Sequence, residues 1–269
     1  MKKTIYYCWV LFAAFAFAAC NLNDDKLEPG TYITNILYAT TFVIEDTAND
    51  DEEICYFEVD KGTKLFLADN LLSSKYTLTD GQRVVLYFTP IEDYSQQGSE
   101  SLEGAAYDCD FGIRLFGIRN VFTGQCVTVT DEEENEAIAD HALAAISTQI
   151  TVTGNYMINI YAAIQADDTD DVKFYLVENK VEEAKNSEEG YLDLELRYDR
   201  GTDQEVGYTY EEYISLDAEP FAELIDELDG VRLRVLTKNS GTVYFKLDFP
   251  KDDERNISST SVPAKSLIY

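Results

Sequence analysis

Apolar and polar residues alternate along most of this chain with the period of two that strands require, and only two stretches carry helical spacing. In the first half, residues 32–45, 54–59, 83–89, 107–119 and 126–130 are rich in Ile, Val, Tyr, Phe and Thr, the side chains that suit a pleated surface. Within 107–119, Cys109, Phe111, Ile113 and Leu115 alternate with Asp108, Asp110, Gly112 and Arg114, so one face is apolar. Leu78-Thr79-Asp80-Gly81 supplies a turn before Arg83, and Pro90 is expected to end the strand that follows. Five strands in this span predict a small closed or partly closed barrel over residues 30–133.

Residues 131–149 break the alternation. A run of acids from Asp131 precedes Ile138, Ala142, Ala145 and Ile146 at helical spacing, and acids at a helix start favour its dipole. The spacing predicts a linker helix over 134–147 with a solvated acidic face. Strands return beyond it. Tyr156, Ile158, Ile160 and Ala162 face one way, against Met157, Asn159 and Tyr161; Val172, Phe174 and Leu176 repeat the scheme. Leu192, Leu194 and Leu196 alternate with Asp193, Glu195 and Arg197, as in a strand with one wet face. Val231, Leu233 and Val235 oppose Val243, Phe245, Leu247 and Phe249 across Asn239-Ser240-Gly241, a hairpin pattern. Asp217 could cap a helix whose Phe221, Leu224, Ile225 and Leu228 share a face and which Gly230 stops. The fold class is therefore all-β, the second domain being an antiparallel sandwich over 148–250. Residues 251–269 are polar and patternless, a flexible tail.

The amino terminus is an address rather than part of a fold. Lys2 and Lys3 precede an uncharged run from Ile5 to Ala19, too short to span hydrocarbon, so residues 1–19 read as a secretory leader. Ala18-Ala19 directly before Cys20 is the arrangement of a bacterial lipobox. Cys20 is then the acylated new terminus, residues 20–29 the tether, and the membrane the first partner, since several acyl chains together anchor stably. Charge restricts the other partners. With 51 acids against 21 bases and a net charge of −30, the surface repels nucleic acid, whose binding depends on Lys and Arg neutralising phosphates. At 45% hydrophobic, the chain can still bury a core.

The order of these features carries a family resemblance. The lipobox is followed by Leu78-Thr79-Asp80-Gly81-Gln82-Arg83-Val84-Val85-Leu86 and Phe111-Gly112-Ile113-Arg114-Leu115-Phe116. After the acidic linker come Val152-Thr153-Gly154-Asn155-Tyr156 and Leu192-Asp193-Leu194-Glu195-Leu196-Arg197. Together they resemble the NigD-like lipoproteins of Bacteroidetes. That resemblance implies an OB-type barrel followed by a β-sandwich, no catalytic residue to carry over, and an immunity or accessory role associated with a bacteriocin operon. Asp24-Asp25 behind Cys20 is similar to the surface-export signal of such lipoproteins and equally fits a plain solvated tether. The expected location is the outer membrane, with the outward-facing leaflet and the periplasmic face both open. Asp46-Thr47-Ala48 matches the short O-glycosylation motif of that phylum, which makes Thr47 a candidate acceptor.

Candidate chemistry is sparse. His141 is the sole histidine, and a nucleophilic triad would need it beside a serine for which no G-x-S-x-G elbow exists. One histidine also excludes H-E-x-x-H zinc chemistry, and the many acids single out no pair for glycoside hydrolysis. The expectation is a non-enzymatic protein without cofactor. Asp167, Asp168, Asp170 and Asp171 lie close enough in sequence for a weak Ca2+ site, although the calcium-loop series is missing and a solvated turn fits better. Tyr208, Tyr210 and Tyr213 form an aromatic cluster suited to a glycan platform or to packing in an edge strand. Cys55, Cys109 and Cys126 allow one bridge and one free thiol, or three small buried side chains, and spacing selects none. The functional expectation is binding or shielding at the envelope through an unknown protein or glycan partner. The rivals are glycan capture for a polysaccharide uptake system and an immunity-type role.

Overall fold

The computed structural model describes residues 35–45, 53–60, 62–70, 77–92, 109–153, 155–181, 189–202, 207–250 and 265–267. The chain divides into two compact units between Arg119 and Asn120. Among the described residues no helix is long and apolar enough to cross a membrane. Cys20 and Thr47 lie outside the described residues.

The first unit is a closed barrel of β1 (Asn35–Glu45), β2 (Glu53–Val59), β3 (Lys64–Asn70), β4 (Arg83–Glu92) and β5 (Phe111–Asn120), in the order β1-β2-β3-β5-β4. β1 pairs on one side with β2 and on the other with β4, which closes the ring and leaves no edge strand. Alternation fills the interior: Ala39, Phe57, Val59, Leu65, Val84, Leu86, Phe88, Ile113 and Leu115 form one buried cluster. The Leu78–Gly81 turn is bound to β1, with Gly81 N donating to Thr41 O at 2.8 Å and Val43 N to Asp80 Oδ1 at 3.0 Å. Beside it, Arg83 forks onto Asp60 at the end of β2, at 2.5 and 2.8 Å, with both side chains buried. A two-point guanidinium–carboxylate contact meets the steep cost of burying either charge alone.

Two expectations change here. Residues 126–130 do not complete the barrel; its missing strand is β3, which a turn at Gly62 separates from β2. Pro90 does not end β4, because the pairing with β1 stops at Phe88 and the absent N–H costs no bond in that ladder.

The second unit opens with β6 (Phe122–Val129), followed by α1 (Glu132–Ala137), β7 (Ala145–Ile146), β8 (Thr151–Val152), β9 (Met157–Ala166) and β10 (Lys173–Asn179). β11 (Tyr191–Asp199), β12 (Tyr208–Asp217), a 3-10 turn (Glu219–Phe221), α2 (Ala222–Glu227), β13 (Gly230–Thr237), β14 (Gly241–Asp248) and β15 (Lys265–Leu267) complete it. The strand order is β15-β14-β13-β11-β10-β6-β12-β9-β7, with β8 beside β9. β6 belongs to both halves of this curled sheet. Its start pairs with β12 through Gly124 and its remainder with β10 from Gln125. A Cβ on Gly124 would stand 2.2 Å from Leu216 Cδ2, so a side chain at the crossing point would have to displace the buried Leu216. The core between the halves takes Ile158, Ile160 and Ile164 from β9, Phe174 and Leu176 from β10, Leu194 and Leu196 from β11, and Leu233 and Phe245 from the β13–β14 hairpin.

The sandwich differs from the expected one in four respects. It is mixed, because β6–β10, β6–β12 and β11–β13 are parallel pairs. The linker helix spans only Glu132–Ala137: Asp131 accepts from Glu134 N at 2.9 Å to start it, and Ile138 is already extended. The chain from His141 to Ile146 is recruited to sheet edges, with Leu143 bridging Thr237 and Ala145 pairing with Ala163. After β12, Asp217 does not cap the helix: it accepts from Glu219 N in a turn ahead of the 3-10 segment, the helix starts from Phe221 without a side-chain cap, and Phe221 and Ile225 are buried but Leu224 is exposed. The helix has ended before Gly230, which begins β13. Lys265–Leu267 in the expected tail pairs with Tyr244–Lys246 of β14.

Candidate functional site

At one end of the sandwich a cleft of about 460 Å³ is lined by Ala139, His141, Asp171, Lys173, Asp199, Gly201 and Thr202. Three chain segments meet there: the extended stretch after α1, the turn between β9 and β10, and the end of β11. Each is fixed for a local reason. β10 and β11 pair with Lys173 opposite Asp199, placing an ammonium and a carboxylate on adjoining strands. Asp199 Oδ1 accepts from Gly201 N at 2.9 Å, a turn that swings the chain away from the sheet. Gly201 sits at φ +74, and a Cβ there would lie 2.7 Å from Asp171 Cβ, so glycine lets the two turns approach.

His141 is held from several directions. Its N–H donates to Tyr198 O at 2.8 Å, its Nδ1 accepts from Arg200 N at 3.5 Å, and its ring meets Tyr198 edge-on at 6.3 Å. Behind it Tyr198 is 1% exposed and donates to Gln165 O at 2.6 Å. Burial, with Asp199 adding, pushes that phenol up to about 12 against the opposing pull of Arg200 and the Gln165 bond.

The segment carrying His141 is anchored to a charged ladder on the outer side of β11 and β13. Arg197, 4% exposed, donates to Asn135 O at 3.0 Å, Asn135 Oδ1 at 2.6 Å and Ile138 O at 3.4 Å, and pairs with Glu195 at 2.7 Å. Arg234 Nη1 stands 2.8 Å from Asp140 and 3.7 Å from Glu195. Burial works to lower the Arg234 pKa, but the bond to Asp140 and the charges of Asp140 and Glu195 outweigh it and hold it raised. The face expected to be wet at Asp193, Glu195 and Arg197 is thus partly roofed.

The predicted tyrosines separate. Tyr208, opposite Ala166 at the end of β9, is 66% exposed beside the turn that walls the cleft. Tyr210, two residues on, packs against the core and reaches Asp167 O at 3.5 Å. Tyr213 lies on the other face of β12, its ring 4.9 Å from Tyr161, while Tyr161 donates to Glu211 Oε2 at 2.7 Å. Strand alternation therefore prevents the three from forming one platform, and β12 is interior to the sheet rather than an edge.

The acids at 167–171 do not gather. Asp168 accepts from Asp170 N at 3.1 Å as an ordinary turn cap, and among the described residues no three His, Cys, Asp or Glu side chains are placed to hold a metal ion. Cys55, Cys109 and Cys126 are not bridged to one another. Cys126 donates to Asp217 O at 2.8 Å, and burial, with the Asp217 charge behind it, pushes its pKa up to about 12. Of the cleft residues, sequence reasoning considered His141 and Asp171 for other chemistry and missed Lys173, Asp199, Gly201 and Thr202. Asp199-Arg200-Gly201 directly after an alternating strand was the available signal, an Asp-x-Gly turn.

Comparison with known proteins decides the relationship. Residues 46–101 match the NigD-like N-terminal OB domain, and residues 125–249 match the NigD-like C-terminal beta sandwich domain. The chain belongs to the NigD-like family. A protein of unknown function from Bacteroides vulgatus has a similar solved structure at 18% identity and a TM-score of 0.60, over 84% of this chain and 94% of that one. A NigD-like immunity protein from Bacteroides caccae is similar at 12% identity and a TM-score of 0.50, over 82% and 93% of the two chains. A putative lipoprotein from Bacteroides fragilis matches at 11% and 0.50, over 81% and 99%. At such identities these likenesses establish the shared NigD-like architecture. No curated protein matches the chain.

Proposed function

We propose that this NigD-like chain is a non-enzymatic, lipid-anchored protein of the outer membrane that binds a partner at the cleft end of its sandwich. The observation carrying the reading is a polar cleft whose walls are preset by Arg197, Arg234 and the Asp199 turn, displayed on a body that follows a lipobox Cys20. Such pre-positioning favours binding, because ordering costs are met in the fold rather than on association. The names of the B. fragilis lipoprotein and of the B. caccae immunity protein agree with an envelope accessory role. Replacing Cys20→Ser should abolish palmitate labelling and release the protein from the membrane fraction; continued partition with lipid would overturn the anchor. Polysaccharide hydrolysis that vanished on changing Asp171 or Asp199 would overturn the non-enzymatic reading.

A rival role in glycan capture is favoured by Tyr208, exposed next to the cleft-wall turn, since exposed rings serve sugar stacking. Tyr210 and Tyr213 contribute less to it, being packed or turned away. An immunity role predicts that deletion sensitises cells to a co-encoded bacteriocin, and unchanged survival would remove it.

A further inference from the structure

Resting on the binding reading above, we propose that the cleft around His141 seats an uncharged, hydroxyl-rich ligand, a unit of a neutral oligosaccharide, with Arg234 as a positioning residue for the His141 wall. The cleft falls within the size range of small-molecule sites, yet its lining is polar rather than apolar. Acceptors and donors are interleaved: the carboxylates of Asp171 and Asp199 accept, the Lys173 ammonium donates, and the Thr202 hydroxyl does both. His141, whose Nδ1 accepts from Arg200 N, adds an imidazole to the same lining. A ligand answering donors and acceptors at once, without concentrated charge, is a polyol.

Charge points the same way. Lys173 in the lining and Arg200, whose Nε donates to Thr202 O at 2.7 Å, offset the two cleft carboxylates, so no strong local field favours a cation, and the net charge of −30 opposes an anionic chain. The geometry is set before any ligand arrives. Asp199 is oriented by Gly201 N, Gly201 leaves no side chain between the turns, and Asp140, next to His141, is held by Arg234. Tyr208 begins β12 opposite Ala166, the last residue of β9 before the turn that carries Asp171, where a longer chain leaving the cleft would meet a ring.

The single histidine supplies the test, since the intact chain gives one imidazole signal in NMR. The full chain in detergent micelles would be titrated with cellotetraose, maltotetraose, mannotetraose and, as the anionic comparison, tetragalacturonate. The expected result is a saturable shift of the His141 signal with a neutral tetrasaccharide and none with tetragalacturonate. Asp199→Asn, which keeps an acceptor for Gly201 N, and Lys173→Met, at an exposed position, should each weaken binding tenfold or more. Arg234→Met should broaden the His141 signal without ligand and weaken binding about threefold, while Arg234→Lys restores part of it. A His141 signal unmoved by all three neutral sugars, or shifts unchanged in both Asp199→Asn and Lys173→Met, overturns the proposal. Retention of the protein on a glycan column with His141 unmoved would sink the cleft assignment and leave the binding reading standing. Absence of both would sink both.

Discussion

In the barrel, pairing of β4 with β1 completes a ring, and one alternating face per strand suffices to fill it. The sandwich has no such closure. Its sheet doubles over at β6, and its charged outer face is bound down by the α1 segment through Arg197 and Arg234. The first unit is thus specified by hydrophobic periodicity together with the buried Arg83–Asp60 ion pair near the closing turn. The second also needs close backbone approaches and a polar ladder. Stability of the barrel should follow side-chain volume, and that of the sandwich should also follow glycines and arginines.

The largest expected effect lies in the barrel. Phe57→Ala removes a fully buried ring from a small cluster and should cost about 4 kcal/mol, read as loss of hydrogen-exchange protection in β1–β5 with β9–β14 retaining theirs. Equal loss in both units would break the contrast.

A glycine pair sharpens it. At Gly230 an added Cβ would stand 2.1 Å from Leu247 O, a backbone atom of the paired strand that cannot step aside, so Gly230→Ala should destabilise by about 3 kcal/mol. Gly117 in β5 offers ordinary contact, with Tyr87 Cβ at 3.5 Å, and Gly117→Ala should stabilise by about 0.5 kcal/mol through the unfolded chain. Denaturant midpoints of the two variants should therefore move in opposite directions.

These cases show how much was legible. The barrel and sandwich classes and the β13–β14 hairpin lie in local periodicity and turn chemistry. β3 did not stand out, because Lys64-Leu65-Phe66-Leu67 is a short apolar run without clean alternation. Ile138, Ala142, Ala145 and Ile146 have helical spacing, yet the linker is extended there because Leu143 and Ala145 gain more from bridging Thr237 and Ala163. Most of the cleft was illegible for a similar reason: β10–β11 register brings Lys173 to Asp199, and no spacing along the chain encodes that approach. By position Gly230 reads as a helix stop, whereas its meaning lies in the distance to Leu247 O.

Arg197→Met tests whether the polar ladder anchors the α1 segment. The change removes donors to Asn135 and Ile138 but leaves Glu195 near Arg234, so the loss should be moderate, about 2 kcal/mol. Faster exchange should appear first at Asn135 N and His141 N, with β9 amides unchanged. Uniform loss across the unit would mean that Arg197 supports the sheet itself.

The smallest expected effect is an alkaline one confined to the sandwich. Cys126 and Tyr198 both have folded-state pKa values raised to about 12, from 9.0 and 10.0, with burial the leading cause in each. A raised value means that the folded state keeps a proton which the unfolded chain releases. Their contribution is therefore complete below pH 9 and shrinks as pH climbs towards 12. Urea midpoints of the sandwich should fall across that window, and the fall should flatten in Cys126→Ala and in Tyr198→Phe, each taking away one of the two protons. The same proton retention makes Cys126 a poor nucleophile, so at pH 8 iodoacetamide should label it only after unfolding. Rapid labelling of the folded chain at Cys126 would show a thiol open to solvent and remove it from the alkaline account, leaving Tyr198, whose hydroxyl is committed to Gln165 O beneath the cleft, to carry the slope alone.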